Sequence, residues 1–430
     1  MPSGIGARRL PGLRLTPARR RALTSAWRAF WISRLLVWSA GIVGVLVSGA
    51  GAYRELTPGA GDPSDTLTGL LLSPARRWDS GWFLSIAQGG YDVPEPRTAF
   101  FPLYPLLIRL VGEPIDALGL AGAHSFELAG VLVSLVALMV GLYLLHRLTD
   151  LELGPKAADN AVALMAVFPM SFYFSAIYSE SLFLMLTVGC VYCARSGCWW
   201  RAAVLGGLAA ATRSQGVLLL LPLAIMLLYG PRADRDPVSA PRESLRARYR
   251  PNTREAVALL LVPLGLVAYL GYVRATTRYG ALAPFKSQEG WMREFRGPIV
   301  GAWGGVKSGA SAARELLTGA PLNEPVSGVR SGLQNLTALA FAAVGVAGAL
   351  RRLPIAYGAY ALGGLVLAIS YPLDAEPLKS LPRFVVVLFP AFMWAGLAMT
   401  RWGHRNLVLA ASAAGLACFS AAFASGYWIA

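Results

Sequence analysis

Histidine and cysteine are scarce in this sequence, and acidic residues are outnumbered by basic ones. The 430 residues include three histidines, four cysteines, and 23 acidic residues against 39 lysines and arginines. Cys190 and Cys193 form a CxxC pair inside an apolar run, but no histidine or second CxxC stands near them to complete a metal-ligand set. The histidines are scattered (His124, His146, His404). We therefore predict no metal centre, no histidine-based triad and no bound cofactor, and leave open a requirement for a free divalent metal.

Charge of either sign is also rare, because 14% of the residues are charged, 55% are hydrophobic and the mean hydropathy is +0.52. That balance excludes an ordinary soluble domain. The net charge of +16 comes mainly from arginines that flank apolar runs, without the basic, aromatic-rich stripe that would favour nucleic acid as a partner. No Walker or GxGxxG nucleotide loop is present. The sequence predicts an all-α polytopic membrane protein, with residues 1–430 forming one integral domain surrounded by membrane lipids.

Apolar runs long enough to cross a bilayer follow one another along the chain. We predict about eleven transmembrane helices, near residues 30–52, 127–146, 159–177, 180–194, 202–212, 215–230, 256–274, 334–350, 354–372, 383–400 and 406–427. The pieces between 178 and 230 are short, which indicates broken or tilted helices that line a cavity inside the protein. The run at 30–52 is long for a signal peptide, and we expect it to be retained as the first span.

The arginines predict how the chain is oriented in the membrane. Basic residues gather in the 1–28 tail and in the 231–254 segment, and such clusters mark the cytoplasmic side. The segments 53–126, 275–333 and 373–382 are then external, and 53–126 forms a large first external loop. The Ala-, Gly- and Arg-rich composition is typical of a bacterium with GC-rich DNA. We expect a plasma-membrane protein whose active site faces outside.

One block, Arg77–Pro105 (RWDSGWFLSIAQGGYDVPEPRTAFFPLYP), is the most informative part of the chain. Apolar residues recur at helical spacing after Asp79, which predicts an amphipathic helix in the membrane interface. Asp79 is a candidate catalytic base, and the alternative is that Asp79 or Ser80 merely caps this helix. Glu95 is a second acid, a substrate hydroxyl acceptor or a solvated loop carboxylate. Pro102 and Pro105 predict that no regular, unkinked helix runs through AFFPLYP.

Charged residues also stand at the ends of later apolar runs. Glu180, beside Tyr178, lies between two such runs; a carboxylate at mid-bilayer would cost about 3 kcal/mol, but at the external end of a helix that cost largely vanishes. Arg213 stands alone in ATRSQG and either binds an anionic ligand or pairs with Glu180. Arg383 and Lys379 lie together at an external end, where cations are less frequent and a polyprenyl phosphate is a fitting anion.

The segment FKSQEGWMREF in the 275–333 loop combines an indole with cations. Lys286, Gln288, Trp291 and Arg293 suit a sugar stacked on an aromatic ring and a phosphate held by basic side chains. The alternative is an ordinary solvated loop.

Together these blocks resemble the PIG-V family of GPI mannosyltransferases and its prokaryotic relatives, which are membrane glycosyltransferases of the GT-C fold. The resemblance runs in order through RWDSGWFLSIAQGGY, Glu95, AFFPLYP, FPMSFYFSAIYSESLFL, ATRSQG, the Trp291 loop and PRFVVVLFPAF. It departs at Trp82, where the family often has histidine. In the family the first external loop holds the catalytic carboxylate, which matches Asp79. The matched blocks also include further candidate substrate contacts (Arg77, Trp78, Gln215).

The resemblance implies transfer of mannose from polyprenyl-phosphate-mannose to an acceptor hydroxyl on the non-cytoplasmic side. The acceptor stays open among a glycolipid, a cell-wall polymer and a secreted protein. An inverting displacement needs one carboxylate to take the acceptor proton, and cations to stabilise the leaving phosphate. Asp79 fits the first role, and the second fits Arg213, Arg383 or Lys379. The alternatives are a transporter or lipid-linked-sugar flippase without transferase chemistry, and a non-catalytic scaffold.

Overall fold

The chain folds into a helical bundle, seen in a computed structural model that describes residues 16–56, 66–91, 95–230, 253–287, 290, 292–318, 328–401 and 403–429. Within these ranges there is no β-strand. The helices are α1 Pro17–Leu56, α2 Leu67–Leu72, α3 Ser80–Gly89, α4 Leu103–Ala117, α5 Ser125–Leu153, α6 Pro155–Val167, α7 Glu180–Arg195, α8 Trp199–Thr212, α9 Leu220–Tyr229, α10 Thr253–Ala258, α11 Leu261–Thr276, α12 Ala283–Lys286, α13 Pro298–Leu317, α14 Gly328–Arg352, α15 Ile355–Ile369, α16 Leu381–Val385, α17 Phe389–Met399 and α18 Arg405–Ala424.

Each apolar run that was predicted to cross the membrane contains helix. Five segments among the described residues are long and apolar enough to span a bilayer, namely Pro17–Ser48, Gly122–Leu153, Thr253–Thr276, Ser331–Arg352 and Arg405–Ala424. The remaining helices are shorter, and α8 with its 14 residues extends only about 21 Å. The all-α membrane architecture is confirmed, whereas the count of eleven spans stays a prediction.

Helix α5 lies at the centre of the bundle and packs against α4, α6 and α7. Around it, α1 packs along α18, α6 along α17, and α8 against both α7 and α11. The α8–α11 contact depends on glycine, because a Cβ atom on Gly265 would collide with the carbonyl oxygen of Gly207. Close backbone approach of this kind is a common way for helices to associate in membranes.

A 3-10 turn, Pro169–Phe174, follows α6 and leads toward α7 inside the bundle. The buried side chain of Arg34, in α1, holds this junction. Its Nη1 donates to the Ser171 carbonyl at 2.9 Å, and its Nη2 donates to the Ala166 carbonyl at 3.1 Å. Further bonds reach the hydroxyls of Ser171 and Ser175. A cation thus binds one carbonyl oxygen in the last turn of α6 and one in the 3-10 turn that follows.

A second 3-10 turn, Ser214–Leu219, precedes α9 and confirms the broken helix expected in this region. The predicted external segments also contain helices. In the first, α4 starts at Leu103, directly after Pro102, and Pro105 occupies its first turn, where proline removes no intrahelical hydrogen bond. No regular helix therefore runs through the whole of AFFPLYP, as expected, and α4 begins only after Pro102. Most of the 231–254 segment lies outside the described residues.

Polar contacts gather at two opposite ends of the bundle. At one end, on either side of the α5–α6 turn, Arg21 pairs with Asp159 at 2.5 Å and Arg195 pairs with Glu152. Helix α7 runs from Glu180 to Arg195, so Glu180 lies at the other end. The basic N-terminal part of α1 and the α7–α8 turn therefore share an end, and the candidate site lies at the opposite one.

Candidate functional site

Arg383 links two carboxylates that are far apart in sequence. Its Nη1 donates to Oδ2 of Asp79, and its Nε donates to Oε1 of Glu180. The same oxygen of Glu180 accepts a bond from Nη1 of Arg213 at 2.8 Å. These four residues form what we call the Arg383 cluster. The side chain of Glu180 is fully buried, whereas that of Asp79 is 24% exposed, so Asp79 is the carboxylate of the cluster that a substrate can reach.

Three of the four residues lie at the ends of three different helices. Asp79 immediately precedes α3, Glu180 is the first residue of α7, and Arg213 follows the last residue of α8. Arg383 lies in the short helix α16. Glu180 and Arg213 pair as the structural alternative for Arg213 had predicted, and Arg383 joins that pair to Asp79.

Tyr178 fixes the backbone around Asp79. Its hydroxyl donates to the Arg77 carbonyl at 3.1 Å and accepts a bond from the Asp79 amide, also at 3.1 Å. The guanidinium carbon of Arg383 lies 4.5 Å from the centroid of the Tyr178 ring, within cation–π distance. Because Tyr178 is completely buried, it contacts protein groups on all sides and positions the cluster.

The chain turns sharply just before Asp79. Trp78 has φ 53°, in the left-handed region that a bulky residue rarely adopts. Asp79 then occupies the N-cap position of α3, but its side chain makes no capping hydrogen bond and binds Arg383 instead. Asp79 therefore occupies the capping position that the alternative predicted, but its side chain does not cap the helix. Unfavourable backbone conformations of this kind tend to occur where a site requires them.

Arg77 anchors the same turn to the last helix. Its buried Nε donates to the carbonyl oxygen of Ala424, the final residue of α18, at 2.8 Å. The Arg77 carbonyl also accepts a bond from the Ser80 hydroxyl at 2.9 Å. Its predicted role in binding substrate stays a prediction, since the guanidinium contacts the protein.

Arg293 reaches the cluster from the 275–333 segment. Its Nη2 donates to the Lys379 carbonyl at 2.9 Å and to the Ser380 hydroxyl at 3.3 Å. Burial, together with the positive charge of Arg383, lowers the pKa of Arg293 to about 10, so it is still charged at neutral pH. Lys379 itself pairs with Glu376 at 3.1 Å and is partly exposed. The sequence indicated a phosphate-binding mixture in this loop but did not single out Arg293.

The other predicted site residues lie away from these hydrogen bonds or outside the described side chains. Gln215 is partly buried in the 3-10 turn that follows Arg213. Glu95 is the first residue of a 3-10 helix, Glu95–Ala99, and its side chain lies outside the described parts, as does Trp291. Among the described residues, no group of three His, Cys, Asp or Glu side chains could hold a metal ion.

The balance of charge favours an anionic ligand. Three guanidinium groups, those of Arg213, Arg293 and Arg383, stand near two carboxylates, those of Asp79 and Glu180. One positive charge is therefore in excess, and guanidinium groups bind phosphate with paired hydrogen bonds. The partly exposed carboxylate of Asp79 lies beside these cations, and a carboxylate can accept a proton.

Comparison with known proteins matches residues 61–229 to a family described as mannosyltransferase (PIG-V). GPI alpha-1,6-mannosyltransferase 2 of Mus musculus is 36% identical over 160 residues, which cover 36% of this chain and 32% of that protein. GPI mannosyltransferase 2 of Cryptococcus neoformans is 31% identical over 176 residues, covering 39% and 40%. The chain thus spans about a third of the length of the curated relatives it matches.

A solved structure, the oligosaccharyltransferase of Archaeoglobus fulgidus, is also similar, with a TM-score of 0.39 and 14% identity over 90% of this chain and 53% of that one.

Most of the predicted site residues, from Arg77 to Gln215, lie inside the family match, and Arg293, Lys379 and Arg383 lie beyond it. Residues 61–229, which carry Asp79, Glu180 and Arg213, are the part of the chain that is similar to the mannosyltransferase (PIG-V) family.

Proposed function

We propose that this chain is an integral membrane mannosyltransferase that transfers mannose from polyprenyl-phosphate-mannose to an acceptor hydroxyl. We place the reaction on the outer face of a bacterial plasma membrane, with Asp79 as the general base. The observation that carries the proposal is the partly exposed Asp79 carboxylate, which a buried arginine holds in place next to further cations.

Asp79 is suited to take the acceptor proton. Arg383 binds its Oδ2 and leaves the other carboxylate oxygen, Oδ1, to accept the hydrogen of the incoming hydroxyl. As that proton moves to Asp79, the acceptor oxygen forms a bond to C1 of mannose. The bond between C1 and the phosphate oxygen breaks, and its electron pair leaves with the phosphate. A carboxylate in this role typically contributes a factor of about 100 or more to the rate.

The cations stabilise the phosphate that leaves. Arg293 is suited to contact it, because its hydrogen bonds go to a carbonyl and a hydroxyl, and it forms no salt bridge with a carboxylate among the described residues. Arg213 and Arg383 are held by Glu180, so their positive ends are fixed before the donor arrives. Donors that are fixed in advance stabilise developing negative charge without reorganising during the reaction. Glu180 and Tyr178 are thus positioning residues.

The experiment compares Asp79→Asn with a matched variant, Asp116→Asn, in purified protein. Asp116 is an exposed aspartate of α4. Mannose transfer from radiolabelled polyprenyl-phosphate-mannose is measured with three acceptors: octyl α-mannopyranoside, a threonine-containing peptide, and water. Asp79→Asn should reduce transfer at least ~100-fold while the protein remains folded, and Asp116→Asn should not. Near wild-type transfer by Asp79→Asn would exclude it as the base, and a wild-type protein that releases no mannose to any acceptor would reject the transferase proposal.

A further inference from the structure

The end of α7 that lies away from the Arg383 cluster carries two free thiols. Cys193 is in the last turn of α7 and is partly buried, whereas Cys198 is the exposed residue immediately before α8. Neither thiol contacts the residues of the candidate site, which lie at the opposite end of the bundle. The two cysteines are therefore available for a chemistry separate from the proposed transfer reaction.

The turn between α7 and α8 is a Schellman motif. The Cys198 amide donates to the Cys193 carbonyl at 2.8 Å, and the Gly197 amide donates to the Ala194 carbonyl at 3.0 Å. Gly197 has φ 76°, the left-handed conformation that ends many helices in this way. In this motif the side chains of the two residues joined by the outer hydrogen bond commonly contact each other, and here both are cysteine.

The outer hydrogen bond also limits the distance between the two cysteines. With standard backbone dimensions, a bond of 2.8 Å places their Cα atoms at most about 6.7 Å apart. The Cα atoms of disulfide-bonded cysteines are usually roughly 4.4–6.8 Å apart. The backbone separation is therefore one that a disulfide can bridge.

Neighbouring helices hold the turn in this geometry. Arg195, between the two cysteines, is buried, and its Nε donates to the carboxylate of Glu152 in α5. The same carboxylate accepts a bond from the hydroxyl of Tyr357, in α15, at 2.8 Å. Groups that are fixed beside each other react together more readily, because they lose little freedom when the new bond forms.

We propose that Cys193 and Cys198 are a redox-active dithiol that forms a reversible disulfide, with low-molecular-weight disulfides as the oxidant. The thiolate of the exposed Cys198 attacks one sulfur of the oxidant, and the first small thiolate leaves. The Cys193 thiolate then attacks the sulfur of Cys198 and displaces the second. Two protein thiols are oxidised, one small disulfide is reduced to two thiols, and the protons of the cysteines pass to the thiolates that leave.

The position of the pair suits a reversible bond. The distribution of arginines predicts that this end of the bundle is cytoplasmic, and cytoplasmic disulfides are usually transient. Cys198 is exposed, so a small oxidant reaches it, whereas Cys190 is buried and Cys418 lies within α18. The alternative is that the two cysteines are only the apolar contact that accompanies a Schellman motif.

Peptide mapping of the wild-type protein decides between these accounts. The purified, reduced protein is treated in detergent with oxidised glutathione, its remaining thiols are alkylated, and tryptic peptides are identified by mass spectrometry. Trypsin cleaves after Arg195, so a disulfide between Cys193 and Cys198 joins two separate peptides. A disulfide between Cys190 and Cys193 would lie within one peptide, because no lysine or arginine lies between them.

We expect the joined pair of peptides, and we expect excess reduced glutathione to separate it again. A disulfide within one peptide would overturn the assignment. Thiols that react only after the protein is unfolded would show that the pair serves packing alone. A joined pair that reduced glutathione leaves intact would be a structural disulfide and would also contradict the proposal.

Two variants test whether the thiols react with each other. Cys193→Ser leaves Cys198 without a neighbouring thiol, so glutathione should stay bound to Cys198 at a level at least about tenfold above wild type. Cys190→Ala, one turn earlier in α7, is the matched control and should behave as wild type. Equal amounts of glutathione on Cys198 in wild type and Cys193→Ser would contradict the proposal. None of these measurements depends on mannose transfer, so failure of the proposed function would leave them unchanged.

Discussion

At the scale of single residues, Arg383 is the part of the site with the most demanding geometry. It contacts Asp79 through one nitrogen and Glu180 through another, and it packs on the ring of Tyr178. Only a planar, forked cation binds two carboxylates in this way, because a lysine has a single nitrogen at the end of its chain.

We therefore expect Arg383→Lys to impair use of the donor although the charge is kept. The KM for polyprenyl-phosphate-mannose should rise about tenfold, more than the KM for the acceptor, because a lysine cannot bind both carboxylates and its positive charge is no longer fixed near the phosphate. Steady-state assays that vary each substrate in turn check this. Arg109→Lys is the control, since Arg109 forms only an exposed pair with Glu113 at 2.7 Å. Equal loss against donor and acceptor would mean that Arg383 is purely a structural partner of the carboxylates.

The sequence predicted the members of the cluster and, as one alternative, the pair of Arg213 with Glu180, but not that Arg383 joins this pair to Asp79. Each member is a charged residue at the edge of an apolar run, where a charge is costly and usually has a function or a partner. The bonds of Arg383, however, join residues 203 and 304 positions apart, and such separations leave no periodic signal. Arg293 was harder to distinguish, because a basic residue in a polar loop resembles any solvated cation until its burial is known.

At the scale of helices, the junction between α6 and α7 depends on Arg34. All of its hydrogen bonds go to uncharged oxygens, in Ser33, Ala166, Ser171 and Ser175. The junction leads directly to Tyr178 and Glu180, so the position of the cluster depends on the place where α6 ends. Hydropathy located the apolar run at 159–177 but could not show that it contains a turn, because the residues of the turn are as apolar as those of a helix.

Replacing Arg34 by leucine should destabilise the protein by roughly 3 kcal/mol or more, because several buried oxygens lose their donor. Unfolding of the purified protein in detergent measures this. Arg28→Leu, at an exposed position of the same helix, should stay within about 0.5 kcal/mol of wild type. An Arg34→Leu variant with unchanged unfolding and normal transfer would show that the 3-10 turn forms without this cation.

At the scale of the whole molecule, the two polar ends separate the basic N-terminal helix from the candidate site. Arg21 and Arg195 belong to one end, whereas α13 packs on the other, where Gly301 touches the carbonyl of Ile369 at the end of α15. The positive-inside rule then places the site outside the cytoplasm. The orientation stays a prediction, since it depends on arginine distribution alone.

Cysteine labelling decides the orientation. In a chain whose four native cysteines are replaced, single cysteines are introduced at Ser311, exposed on α13, and at Ser196, exposed in the α7–α8 turn. A maleimide that cannot cross membranes should label intact cells at position 311 and should label position 196 only after the cells are opened. The reverse pattern would place the Arg383 cluster in the cytoplasm and remove the basis for an external donor.

The bond between Arg77 and Ala424 has a consequence for the order of events during synthesis. The two residues are 347 positions apart, and at about 5–20 residues per second the ribosome needs on the order of 20–70 s to make the intervening chain. Until α18 emerges, the guanidinium of Arg77 lacks its carbonyl partner, and for most of that time Arg383 is also missing. During this time the turn that contains Arg77 is in the membrane without its hydrogen bond to Ala424. We therefore expect the site to fold late, only after most of the chain has been synthesised.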